Sequence, residues 1–169
     1  KVVWPLPDKP LWQGERGKCV ALWREQGIGD EIIFLSLVPE AKEMCSSLSI
    51  YVDPRLQDLC KRAMPEINFV KEIEALEDIE CDYHLPLGSV PGLIRNDISD
   101  FDRTIKGYLK PDPQRVESIR EELKLEGKTA IGISWKSFNS LNPLKKSVQL
   151  KDMERIFSGL DVVLVNLQY

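Results

Sequence analysis

The residues best placed for chemistry lie in "REQGIGDEIIF", Arg24 to Phe34, where Gly27, Gly29 and Asp30 separate an apolar run from a helix-like run. A GxG turn that follows a strand and opens a helix matches the start of a dinucleotide-binding fingerprint. Asp53, after the next strand signal, stands where a ribose-binding acid would be expected. Two features oppose that chemistry. The third glycine of the pattern is replaced by Ile32, and Asp30 and Glu31 fall in the first turn of the helix. There they compete with a phosphate for the same backbone N–H groups and positive dipole end. No Lys or Arg occurs between Arg24 and Lys42 to offset them. A carboxylate on such a turn can instead accept a proton from a hydroxyl. The plain alternative for Asp30 is a helix cap worth about 1 kcal/mol.

His84 is the only histidine, and a lone histidine within a strand is more often structural than catalytic. Ser89, in the turn "GSVP" that ends the same strand, is the better candidate to touch a ligand. The cysteines at 19, 45, 60 and 81 form no CxxC pair and sit in apolar segments. Reduced, buried thiols in a cytoplasmic protein account for them, and no metal site is expected. The four tryptophans, Trp4, Trp12, Trp23 and Trp135, read as packing anchors rather than sugar platforms.

These residues need a scaffold, and 169 residues suffice for one sizeable core or for one domain and part of another. The chain is 43% hydrophobic and 30% charged, the balance of a globular protein. No apolar stretch approaches the roughly 20 residues of a membrane-spanning helix. The N-terminal stretch, with three prolines before Trp12, does not read as a signal peptide. A net charge of −4 offers no general attraction to nucleic acid or anionic lipid.

Strand and helix patterns alternate. "KCVALW" (18–23), "SLSIYVD" (47–53), "INFV" (67–70) and "CDYHLPLG" (81–88) read as strands. Residues 30–45 carry apolar positions at helical spacing, with Pro39 expected to kink or split the helix, and a second helix follows Pro54. This order predicts an α/β protein with a Rossmann-like parallel sheet and flanking helices. Residues 97–113 read as a connection, and a helix follows that ends at Gly127 as its C′ residue. A second pattern begins at "TAIGISW" (129–135), continues through a helix over 147–160 with Leu150, Met153, Ile156 and Phe157 inward, and closes on "DVVLVNLQY" (161–169).

Taken together, "LWQGERGKCVALWREQGIGDEIIFLSLVP", "YHLPLGSVP", "GISWKS" and "VNLQY" resemble the glycosyltransferase region of bacterial tetratricopeptide-repeat proteins, itself similar to the lipopolysaccharide heptosyltransferases. The resemblance implies the N-terminal half of a GT-B fold. Residues 1–110 would form the acceptor-side domain, 111–128 a linker and connecting helix, and 129–169 the first βαβ of an incomplete donor domain. It further implies inverting, metal-independent transfer from a nucleotide sugar to an acceptor hydroxyl, with Asp30 as general base and no cofactor. The acceptor would be a glycan, a lipid-linked saccharide or a protein. Gly27, Gly29, His84 and Ser89 would lie on the acceptor side.

The leaving nucleoside diphosphate needs cations or N–H donors. By position, Lys136, Lys146 and Ser147 would supply them, although the Lys146-Ser147 pair lacks the bidentate geometry of an arginine. Solubility is the plain alternative for lysines in a polar loop. A chain lacking most of its donor domain would transfer weakly or not at all alone, and its uncovered apolar surface would favour self-association. Two other classes remain open: a non-catalytic Rossmann-like binding or assembly module, and a nucleotide-binding oxidoreductase, which Ile32 and Asp30 oppose.

Overall fold

Strand β1 (Cys19–Trp23) is apolar throughout, and Val20, Ala21, Leu22 and Trp23 are all buried. Burial on both faces is what a central strand of a parallel sheet requires. In the computed structural model, which describes residues 6, 8–101, 107–136 and 147–168, β1 pairs in parallel with β2 (Ser47–Tyr51) on one side and β4 (Tyr83–Pro86) on the other. Strand β3 (Asn68–Val70) pairs in parallel with β2, which gives the order β3-β2-β1-β4. The sheet is flanked by helices, so the α/β, Rossmann-like class expected from the sequence is the class observed. Residues 1–112 form one compact unit around this sheet and residues 113–169 a second.

One face of the sheet presents Val20, Leu22, Leu48 and Ile50 to Leu35, Val38, Ala41 and Cys60, which α1 (Ile28–Leu35), α2 (Val38–Met44) and α3 (Gln57–Ala63) supply. The other face buries Ala21 and Trp23 against Leu6, Leu76 and Cys81. The expected break near Pro39 is present. The amides of Ser36 and Leu37 bond to the carbonyls of Ile33 and Phe34, three residues back, and α2 restarts with Pro39 in its first turn, where a missing N–H is harmless. The outer edge of β4 is covered by the N-terminal segment. The His84 amide donates to Pro10 O (3.1 Å), the Trp12 amide donates to His84 O (2.9 Å), and Trp12 is wholly buried. Such a cover blunts an open edge.

After β4 come α4 (Pro91–Ile94) and a short 3-10 turn at Ile98–Phe101. The second unit contains α5 (Pro113–Leu123), then β5 (Thr129–Ile133) and β6 (Val162–Asn166) paired in parallel, with α6 (Leu150–Phe157) between them in the chain. Two expectations are corrected here. Helix α5 ends at Leu123, where Lys124 takes the left-handed conformation (φ 45°); Gly127 (φ 85°) belongs to the following turn and is not the C′ residue. Leu150 and Ile156 do not point inward, being 48% and 65% exposed. All four cysteines are free thiols, with Cys45, Cys60 and Cys81 buried. Among the described residues no helix is long and apolar enough to cross a membrane.

Ile50 is fully buried at the centre of the first unit's core. Ile50→Ala removes its contacts and leaves a cavity, so urea denaturation followed by far-UV circular dichroism should show a loss of about 2–5 kcal/mol.

Candidate functional site

In the strand order β3-β2-β1-β4, the chain moves outward from β1 to β3 and then returns to the opposite side of β1. The switch point of this parallel sheet lies between the carboxyl ends of β1 and β4, the place where open α/β sheets bind ligands. The turns that meet there are Arg24–Gly27 and Leu87–Ser89. Gly88 is where they touch. A side chain at this position would strike the Glu25 carboxylate and come within 3.0 Å of Gln26 Nε2 and 3.2 Å of Phe34 Cε2. Close approach explains this glycine. Gly27 and Gly29 are explained less well: neither has a positive φ, and a Cβ on Gly29 would meet nothing within 4 Å.

The two adjacent acids of α1 separate completely. Glu31 is 1% exposed, and its Oε2 accepts the Asp53 amide at 2.8 Å. Arg24 Nε lies 2.6 Å from Glu31 Oε1, and Arg24 Nη1 donates to Asp53 Oδ2 at 2.9 Å. Arg55 grips the same aspartate with its Nε and Nη2, each 2.8 Å from an Asp53 oxygen, while its amide donates to Oδ1 at 3.0 Å. Burial pushes the Glu31 carboxyl up, partly opposed by the Asp53 amide and Arg24. The Arg55 side chain above all, with its amide and Arg24, holds the Asp53 carboxyl far below the usual range. Asp53 is therefore spent within the protein and is not the open ribose-binding acid of a dinucleotide site. Arg24 also offsets Glu31, so the expected repulsion from paired acids reduces to Asp30 alone.

Asp30 is exposed. The helix is capped at Gly27 without any side-chain hydrogen bond, and Asp30 makes no hydrogen bond or ion pair among the described residues. The capping role is therefore not what this carboxylate does. It stands on the first turn of α1, next in the chain to the switch point, and its Oδ2 lies 3.4 Å from where a Cβ on Gly27 would sit. Ser89 is exposed on the opposite turn.

His84 belongs to the frame. It is 2% exposed, and its Nδ1 accepts the Trp23 indole N–H at 3.0 Å on the face of the sheet away from α1. Burial pushes its pKa down, against a hydrogen bond to the Lys9 backbone. The buried imidazole joins β1 to β4 and anchors the N-terminal segment, so its placement on the acceptor side of the site is corrected. Trp12 and Trp23 are buried anchors, as expected; Trp4 lies outside the described residues.

In the second unit, Lys136 and Ser147 flank a backbone contact in which the Val148 amide donates to Trp135 O at 2.9 Å. The Gln168 side chain orders the same loop, its Oε1 accepting the Lys136 amide at 2.8 Å. The sequence assigned Gln168 no role of its own, because its side-chain partners are more than 30 residues away. Lys146 lies outside the described residues. Among the described residues, no group of three or more His, Cys, Asp or Glu could hold a metal ion.

No protein-family model matches the chain, and no solved structure matches it. A curated relative is Protein FlbA of Caulobacter vibrioides, 29% identical over 178 residues that cover 94% of this chain and 30% of FlbA. The chain thus spans less than a third of the length of that relative. These comparisons correct the resemblance drawn from the sequence: no glycosyltransferase family is matched, and the name of the relative is not that of a glycosyltransferase.

Replacing Asp53 by Asn leaves Arg24 and Arg55 without their shared anion. The expected cost is about 1–3 kcal/mol at pH 7, since both guanidiniums are partly hydrated and hydrogen bonds to charged groups are of that size. The folded pKa is depressed, so this stabilisation is present above the ordinary aspartate value of about 3.9 and is lost as pH falls below it. Urea midpoints measured from pH 7 down to pH 3 should show the gap between the wild-type and Asp53→Asn curves constant down to about pH 5 and beginning to narrow below the ordinary aspartate value of about 3.9.

Proposed function

We propose that the crevice between β1 and β4 binds a hydroxyl-bearing acceptor and that Asp30 is the general base in transfer of a sugar from a nucleotide-sugar donor to it. The observation that carries this reading is the state of Asp30, an exposed carboxylate without a partner among the described residues, beside the switch point of a parallel sheet. Its neighbour Glu31 is buried and ion-paired, so the scaffold uses one acid and leaves the other for a ligand.

In this reading Asp30 takes the acceptor O–H proton as the oxygen attacks the anomeric carbon. The bond from that carbon to the diphosphate oxygen breaks, and the configuration inverts. The nucleoside diphosphate leaves with the bonding pair. A leaving diphosphate needs cations or N–H donors, and in the second unit, taken by itself, Lys136 and Ser147 are residues of that kind near the carboxyl end of β5. A glycan, a lipid-linked saccharide or a protein hydroxyl would serve as acceptor.

A non-catalytic binding or assembly module is the second reading. It is favoured by the apolar surface of the second unit, where Ile156 is 65%, Leu167 57% and Leu160 55% exposed. Self-association through that surface would appear in sedimentation velocity as a concentration-dependent species, reversed by Ile156→Glu.

The transfer reading is tested with the full-length protein, a panel of radiolabelled nucleotide sugars and a panel of simple glycosides as acceptors. Asp30→Asn should lower turnover by about 100-fold or more, the usual worth of a positioned general base, with an unchanged circular dichroism spectrum. Turnover equal to wild type would remove Asp30 from the chemistry.

A further inference from the structure

Helix α1 carries Asp30, and its orientation decides whether that carboxylate or Glu31 faces the crevice. One contact from far along the chain bears on this. The Tyr108 hydroxyl donates to the Ile32 carbonyl at 2.6 Å. That carbonyl is available because the Ser36 amide, its regular partner four residues on, turns instead to Ile33 O at 3.2 Å. The early exit of the helix thus opens an acceptor in its middle, and the tyrosine fills it.

The segment that brings Tyr108 is itself tied down. Tyr108 and Leu109 pack against the main core. Arg62, in the last turn of α3, donates from Nε to Lys110 O at 3.0 Å, and its Nη1 lies 3.7 Å from Asp112 Oδ2. Residues 107–112 therefore form a strap anchored to α3 and bonded to α1. On another side α1 is held by Phe34 against Gly88, and at its start by Glu31 against Arg24 and Asp53. Burial pushes the Tyr108 hydroxyl up to about 12, so it keeps its proton through the ordinary working range.

We propose that Tyr108 is a positioning residue for Asp30: its hydroxyl holds α1 in the rotation that turns Asp30 to the crevice and Glu31 into the core. This rests on the reading of Asp30 given above. Tyr108 touches no reacting atom and acts only through the helix.

The test is site-resolved hydrogen exchange by NMR on the 169-residue chain and its Tyr108→Phe variant, which loses the hydroxyl and keeps the ring. The Glu31 amide, bonded to Gly27 O, and the amides that follow it in α1 should exchange about fivefold faster, as expected for one lost hydrogen bond. Amides of Ala21 in β1 and Ile50 in β2 should be unchanged. Tyr108→Leu, which also removes ring packing, should accelerate exchange at all of these sites. Unchanged α1 exchange in Tyr108→Phe overturns the proposal, and so does an equal acceleration at Ala21 and Ile50, which marks a general packing role. A local loosening of α1 together with full transfer by Asp30→Asn leaves the clamp standing and removes only the base.

Discussion

The cluster of Arg24, Glu31, Asp53 and Arg55 is the constraint on which the site depends. It joins the end of β1, the first turn of α1 and the end of β2 through contacts of 2.6–3.0 Å. Glu31 is buried, and a buried carboxylate is costly unless its charge is met and its oxygens are bonded. The Asp53 amide bonds Glu31 Oε2 and the Arg24 guanidinium meets the charge at Oε1 only when α1 begins where it does. A shift of the helix by one residue in either direction would take Glu31 away from both partners.

From this follows the division between two adjacent acids. Successive helical residues point about 100° apart, so a helix that sends one acid into the core sends the next toward solvent. The scaffold satisfies Glu31 and leaves Asp30 beside the crevice. Gly88 draws the facing turn close, and His84 with Trp23 binds β1 to β4 beneath it. In the second unit Gln168 organises the loop after β5 from the end of β6, so each unit gathers its polar groups at the carboxyl edge of its parallel strands.

Much of this was legible from local pattern. The strands at Cys19–Trp23 and Ser47–Tyr51 are apolar runs between helix-period segments, and Pro39 marks the break between α1 and α2. The link from Asp53 to β1 was not legible, because Arg24 lies 29 residues before it, although its other partner, Arg55, is only two residues on. A structural role for His84 was the favoured reading of a lone histidine within a strand, but its indole partner, 61 residues distant, was hidden. The glycines at 27 and 29 matched the start of a fingerprint but take no positive φ, whereas Gly88, which lies in a close contact, was unremarkable in sequence. Gly127 attracted the helix end by type, while the left-handed position fell on Lys124. The family resemblance rested on the fairly specific turn at Glu25–Asp30 with later motifs that are weak singly, and the FlbA match over 94% of the chain does not sustain it.

The sequence by itself determined the α/β class, the element order, the break at Pro39 and the candidacy of Asp30. Periodicity, prolines and a helix start are properties of neighbouring residues, and they persist in any fold the chain adopts. Tertiary structure alone decided that Glu31 is consumed and Asp30 is not, that His84 belongs to the frame, and that Tyr108 reaches the helix bearing Asp30. Each of those outcomes depends on which distant groups share a low-dielectric interior. There an unmet charge or hydrogen bond costs far more than in water, so pairing across the chain assigns the roles that local pattern leaves open.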